Sequence, residues 1–165
     1  MPVNASVDLS SVLAGLDRLS GVSESLARSM AVAAGQAVRD EAKARAPVDT
    51  GKLKGALYLA YSDRRSHGSK VVYSVSWNSK KNSNKAPHGH LLEFGHWQTH
   101  AIYKGRDGEW YVGAPLAQPK WVPARPFLRP AYEAVAPRMA QIMVNRARER
   151  LPELLSGAAD DVEGD

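Results

Sequence analysis

Between Leu26 and Ala46 the apolar residues fall at helical spacing, and the pattern stops at a proline. Leu26, Met30, Ala33, Ala34, Ala37, Val38, Ala42 and Ala46 form one stripe, while Arg28, Arg39, Asp40 and Lys43 sit largely off it. A stripe this rich in alanine lets a sheet or another helix approach closely, so the rest of the chain must supply that partner. The spacing predicts a helix from about Glu24 to Ala46, with Ser23 as its cap. Pro47 ends it, because the ring disfavours helical backbone in the residue before it. A shorter helix is expected from Ser10 to Leu19, where Leu9, Leu13, Leu16 and Leu19 recur, with Gly21 breaking the pattern. Residues 3–9 read as a short edge strand.

Past the proline the period changes. Val48-Asp49-Thr50-Gly51 is turn chemistry, in which Asp49 or Thr50 can accept from the backbone amides that follow. Leu57–Tyr61 reads as a strand. Its partner is Val71–Trp77, where Val71, Tyr73, Val75 and Trp77 alternate with small residues at a period of two. The connection, Ser62 to Lys70, is long and basic rather than a tight turn. Asn78–Pro87 is polar, and His88–Gly95 is a short ordered stretch centred on Leu91, Leu92 and Phe94. A second hairpin pairs Ala101–Tyr103 with Trp110–Val112 across a turn from Lys104 to Glu109. Pro115, Pro119, Pro123 and Pro126 then mark an extended segment that is neither helix nor central strand.

The last element is a helix from about Phe127 to Leu155, buried along Phe127, Ala131, Val135, Met139, Ile142 and Met143. Pro130 falls in its first turns, and Pro137 predicts a kink near Glu133. The order gives an α+β fold: an antiparallel sheet of two hairpins, packed by a long helix from the N-terminal half and a kinked C-terminal helix. A chain of 165 residues suits a single domain, expected over residues 1–155. Residues 156–165 form an acidic tail expected to be disordered.

Composition narrows the function. Cysteine is absent, which removes disulfide scaffolds, thiolate zinc sites and cysteine nucleophiles. The opening residues have neither the basic region nor the apolar core of a secretory signal, and no apolar run approaches a membrane span, so folding in a cytoplasm is expected. The net charge of +5 is unevenly spread. Asp160, Asp161, Glu163 and Asp165 crowd the end, leaving a more basic body that suits an anionic partner or a solvated surface equally.

Candidate chemistry is sparse. Ala46–Lys52 resembles part of a phosphate-binding loop, but that loop needs Gly at Ala46 and Ser or Thr at Leu53, so nucleotide binding is rejected. His88, His90, Glu93, His96 and His100 are the only ligand-like cluster. His88, His90 and His96 are its weak metal candidates, and with no second acidic cluster no metal or other cofactor is expected. No nucleophile elbow is present, and catalysis has no positive sign. Arg64, Arg65, Lys70, Lys80, Lys81 and Lys85 are candidate phosphate or partner contacts, with Tyr73 and Trp77 nearby. Alternating aromatics of that kind more often pack a core. A metal-dependent nuclease and a nucleic-acid-binding protein stand as the alternative readings.

Three segments, in order, carry a resemblance. They are Ala46-Pro47-Val48-Asp49-Thr50-Gly51-Lys52-Leu53, His90-Leu91-Leu92-Glu93-Phe94-Gly95-His96, and Pro123-Ala124-Arg125-Pro126-Phe127-Leu128-Arg129-Pro130-Ala131. Together they resemble the neck or tail-completion proteins of long-tailed bacteriophages over roughly residues 10–150. The chain departs from the commoner pattern at His96, where Thr or Ser usually follows the glycine, and in the long insertion from Trp97 to Val122.

The resemblance implies a structural virion protein, assembled in the host cytoplasm, that joins tail to capsid. Its implied partners are further copies of itself in a ring, expected to be a hexamer, with a head connector or head-closure protein on one side. A tail terminator or tail tube protein stands on the other, and DNA passes through; no membrane is involved. On this reading the motif residues are architectural. Pro47, Asp49, Thr50 and Gly51 set the turn after the long helix. Phe127 and Leu128 seat the last helix, with Arg125 and Pro126 leading into it. Glu93, flanked by Phe94 and Gly95, is expected to pair with Arg125 or Arg129.

Overall fold

A computed structural model describes residues 10–49, 51–68, 70–79 and 86–160. The edge strand expected at residues 3–9, the turn residue Thr50, the basic residues Lys80, Lys81 and Lys85, and the final five acidic-tail residues lie outside them. The elements run α1 (Ser10–Arg45), α2 (Lys52–Ala56), β1 (Leu57–Tyr61), β2 (Tyr73–Trp77), α3 (Gly89–Phe94), β3 (His96–Lys104), β4 (Trp110–Val122) and α4 (Leu128–Asp160). The α+β expectation is met. The two hairpins stay as separate two-stranded antiparallel sheets, β1–β2 and β3–β4, rather than one shared sheet.

Three boundaries differ from expectation, each for a local reason. The two N-terminal helices are one, because Gly21 lies inside α1. A glycine costs a helix about 1 kcal/mol relative to alanine, which a helix of 36 residues absorbs. The C-terminal helix continues past Leu155 to Asp160, with both Pro137 and Pro152 inside it. Finally, the first part of the proline-marked segment is a strand with an irregular register: β4 includes Pro115 and Pro119, while Pro123 and Pro126 lie beyond it. A strand in a two-stranded sheet has one free edge, where a missing amide donor leaves no ladder bond unmade. Pro115 faces His100, where the β3–β4 register shifts.

Contacts divide the chain into two compact units. The first comprises the described parts of residues 1–38, 59–75 and 135–165. In it, Ala34, Val38 and Val135 are buried. A Cβ on Gly35 would lie 2.5 Å from Leu59 Cδ1, so glycine here lets β1 approach the helix. Arg28 is held by Glu24 at 2.7 Å and lies 4.8 Å over the Tyr61 ring, which in turn packs on Tyr73 at 5.4 Å. Arg146 Nε donates to Ser29 Oγ at 2.9 Å. The β1–β2 connection is ordered by its own serines. Ser66 Oγ accepts the Val72 amide and donates to the Ser62 carbonyl, around a 3₁₀ turn at Asp63–Arg65.

The second unit comprises residues 39–58 and the described parts of 76–134. Its core is Ala42, Ala46, Leu53, Ala56, Leu57, Ala86, Phe127 and Ala131, with Trp77, Leu92 and Leu128 packed against it. The small side chains of α1 thus do what the stripe suggested and leave room for one large ring. Phe127 is fully buried and meets Trp77 edge-on at 5.9 Å. Trp77 also covers Gly89, where a Cβ would fall 2.5 Å from the indole nitrogen. All three sequence motifs lie in this second unit.

Candidate functional site

The second and third motifs meet at the start of α4. That helix has no side-chain cap of its own, since Pro126 and Phe127 precede it, yet its first amides need acceptors. Glu93, on the short helix α3, supplies them. Its Oε2 accepts from Phe127 N at 2.8 Å and Leu128 N at 3.0 Å, and its Oε1 accepts from Arg129 N at 3.0 Å. The side chain is buried, at 4% exposure. Burial by itself pushes a carboxyl upward, but the three amides outweigh it and hold Glu93 below the usual glutamate range. A carboxylate here also sits at the positive end of the helix dipole.

The expected ion pair with Arg125 or Arg129 is therefore replaced. Arg129 adds only a weaker electrostatic contribution, and Arg125 enters through its backbone, its N–H donating to the Leu92 carbonyl at 2.7 Å. Backbone amides win because three of them converge on one buried acid with no side-chain entropy to lose.

Gly95 completes the joint. Its φ of 74° lies in the left-handed region, and a Cβ would stand 2.8 Å from the Val122 carbonyl and 3.0 Å from the Ala124 nitrogen. Glycine is required here on both counts. Phe94, by contrast, points outward with 70% exposure. With Trp77, Glu93, Leu128, Arg129 and Tyr132 it lines an open apolar depression of about 360 Å³.

The first motif meets the inserted hairpin. Asp49 Oδ2 accepts from the Trp110 indole at 3.1 Å, and Lys104 Nζ lies 3.5 Å from Oδ1. The indole hydrogen bond and then the Lys104 charge hold Asp49 below the usual carboxylate range. Lys52 pairs with Glu109 at 3.1 Å, so two motif side chains tether the hairpin turn. The turn itself closes through Gly105 N to Glu109 O at 2.8 Å, with Gly108 at φ 80° and Tyr111 donating to Asp107. Gly51, with φ 75°, precedes α2 in the left-handed region.

The remaining candidates do not converge. Arg65 is committed to Ser62 at the start of its loop and to Ser74 on β2, while Arg64 is exposed. Tyr73 and Trp77 pack against Tyr61 and Phe127 rather than standing free. Among the described residues no group of three or more His, Asp or Glu could hold a metal ion. His88 is held below the usual histidine range by partial desolvation, which the nearby Asp49 only partly offsets. His96 Nδ1 is buried without a hydrogen-bond partner.

Sequence reasoning passed over the aromatic residues of the second hairpin. Trp97, Tyr103, Trp110, Tyr111 and Trp121 are all at least 43% exposed. A signal was present: β3 and β4 are rich in Trp and Tyr and carry neither Asp nor Glu.

Compared with known families, residues 10–95 match the model described as "Bacteriophage HK97-gp10, putative tail-component". The chain belongs to the HK97-gp10-like family. Membership makes it a structural component of a bacteriophage tail, and so of the virion. It bears out the resemblance read from the motifs. The HK97-gp10-like match contains the first motif and the whole of α3, ending at the glycine whose backbone abuts β4. The inserted hairpin and the third motif follow it. No curated protein and no solved structure matches the chain. Among the described residues no helix is long and apolar enough to cross a membrane.

Proposed function

We propose that this tail component is the subunit of a ring at the head–tail junction, closing the tail against the capsid. Family membership supports the tail role. The observation that supports a ring subunit is the β3–β4 hairpin, whose large aromatic side chains stay exposed on the single chain. Surface of that kind is covered by neighbours in an assembly. On the resemblance to neck or tail-completion proteins, the ring is a hexamer closed by cyclic symmetry. A head connector or head-closure protein meets one side and a tail terminator or tail tube protein the other. DNA passes through, and exposed Arg64 is a candidate contact with it.

Within the subunit, the Glu93 joint and the Asp49 tether have a mechanical role. They fix the hairpin and the start of α4 to one small core, so that contacts made by the hairpin load the core rather than a loose arm. Electron microscopy of a lysate from phage with this gene interrupted tests the reading. Filled heads beside separate, finished tails are expected. Normal infectious particles sink the junction assignment.

A further inference from the structure

The β3–β4 hairpin presents two unlike faces. On one, Trp97 meets Trp121 edge-on at 5.4 Å and Tyr103 stacks on Tyr111 at 5.8 Å. Both are cross-strand partners in the register. The surplus residues at the register shifts fall on β4, so β3 keeps its alternation and Thr99 and Ala101 share this face with Trp97 and Tyr103. A Cβ on Gly113 would lie 3.4 Å from the Tyr103 ring and 3.5 Å from Ala101, which places that part of β4 on the same side. The face therefore consists of Trp97, Thr99, Ala101, Tyr103, Tyr111 and Trp121, none of them a cation, with the Asp107 carboxylate against the Tyr111 hydroxyl at its turn end. The other face, in the alternate register positions, mixes the cations Lys104 and Lys120 with Gln98, Ile102, Trp110 and Val112.

We infer that the aromatic face of β3–β4 is where a second copy of this chain docks, an inference that rests on the ring reading above. Size supports it first. The four rings are 64, 47, 55 and 43% exposed, and each aromatic buries about 150–250 Å² when covered, so they offer roughly 400 Å². That already matches the largest apolar patch of a typical monomer and is about half of what one partner contributes to a standard interface. Main chain adds more on the β3 side, whose outer edge carries no proline, unlike that of β4. Charge supports it second. Nucleic acid is held through its phosphates, and a face without a cation lacks the main source of that affinity. A cation-free aromatic strip of paired rings is the surface of an interface centre.

The test uses the purified full chain and its Trp97→Ser/Tyr103→Ser double variant, with Lys120→Ser as a control on the opposite face. Mass is followed by light scattering as concentration rises, with circular dichroism as a check on folding. The wild type and Lys120→Ser are expected to associate alike. The double variant is expected to keep its spectrum and associate roughly 100-fold more weakly. A double variant that associates like the wild type overturns the inference and leaves the ring reading standing. A wild type that stays monomeric, while phage carrying the double variant fail at the junction, assigns the face to a different virion protein and also overturns it. If phage with the gene interrupted are normal, the ring reading fails whatever the association data show.

Discussion

Glu93 Oε2 lies 2.8 Å from the main-chain nitrogen of Phe127, so a side chain of one short helix completes the first turn of another. Phe127 is at once the residue that α4 leaves uncapped and the fully buried ring of the second unit's core. Capping and packing are therefore coupled at one position. Losing the carboxylate frees buried amides and loosens the seat of the core's largest ring.

Glu93→Ala should destabilise the chain by about 2–4 kcal/mol, combining the loss of a helix cap with unsatisfied buried donors. Glu93→Gln keeps an acceptor but loses the charge, and should cost about 1–2 kcal/mol. Urea unfolding midpoints measure both. A shift below about 0.5 kcal/mol for the alanine variant, the range of an ordinary surface substitution, would remove the cap from the account of stability.

The same carboxylate sets an acid limb. Its folded-state pKa is lowered from an ordinary 4.5, so its contribution is complete above that value and is lost as pH falls through the lower folded value. Unfolding midpoints of the wild type and Glu93→Gln should therefore stand apart at neutral pH and converge at strongly acidic pH. A gap that stays constant across that range contradicts the assignment.

Two glycines with positive φ should respond differently to alanine. At Gly95 the new Cβ meets backbone atoms at 2.8 and 3.0 Å, whereas at Gly108 nothing lies within 4 Å. Gly108→Ala should cost about 1–2 kcal/mol, from the left-handed backbone alone. Gly95→Ala should cost about 3 kcal/mol or more, since main chain must move as well. Thermal melts of the two variants give the comparison, and equal losses would mean that β4 yields easily at Gly95.

The Asp49–Trp110 bond is exposed and should act locally. In Trp110→Phe the global unfolding midpoint should hardly move, while amide exchange around Lys104–Tyr111 should quicken. Hydrogen exchange followed by mass spectrometry resolves that segment. Unchanged exchange at the turn would show that the tether does not hold the hairpin.

Much of the fold was legible because its signals are local. The alanine stripe, the period-two strand ending at Trp77 and the turn from Lys104 to Glu109 all depend on near neighbours. What escaped depends on distance. Gly21 reads as a break, but the helix through it is long enough to carry the cost. Pro115 and Pro119 read against a strand, but a free strand edge tolerates them. At Glu93 the sequence shows candidate arginine partners but not the unpaired amides at a helix start, and it is those amides that the carboxylate accepts from. Trp97 and Trp121 went unremarked because their pairing is set by a hairpin register that shifts at His100.

Cryo-electron microscopy of the head–tail junction in purified virions tests the ring assignment most directly. Copies of this chain should close into a ring between the head connector and the tail, with the β3–β4 hairpin at the seam between neighbours. A junction built wholly from other proteins, with this chain elsewhere in the particle or missing from it, would contradict the assignment.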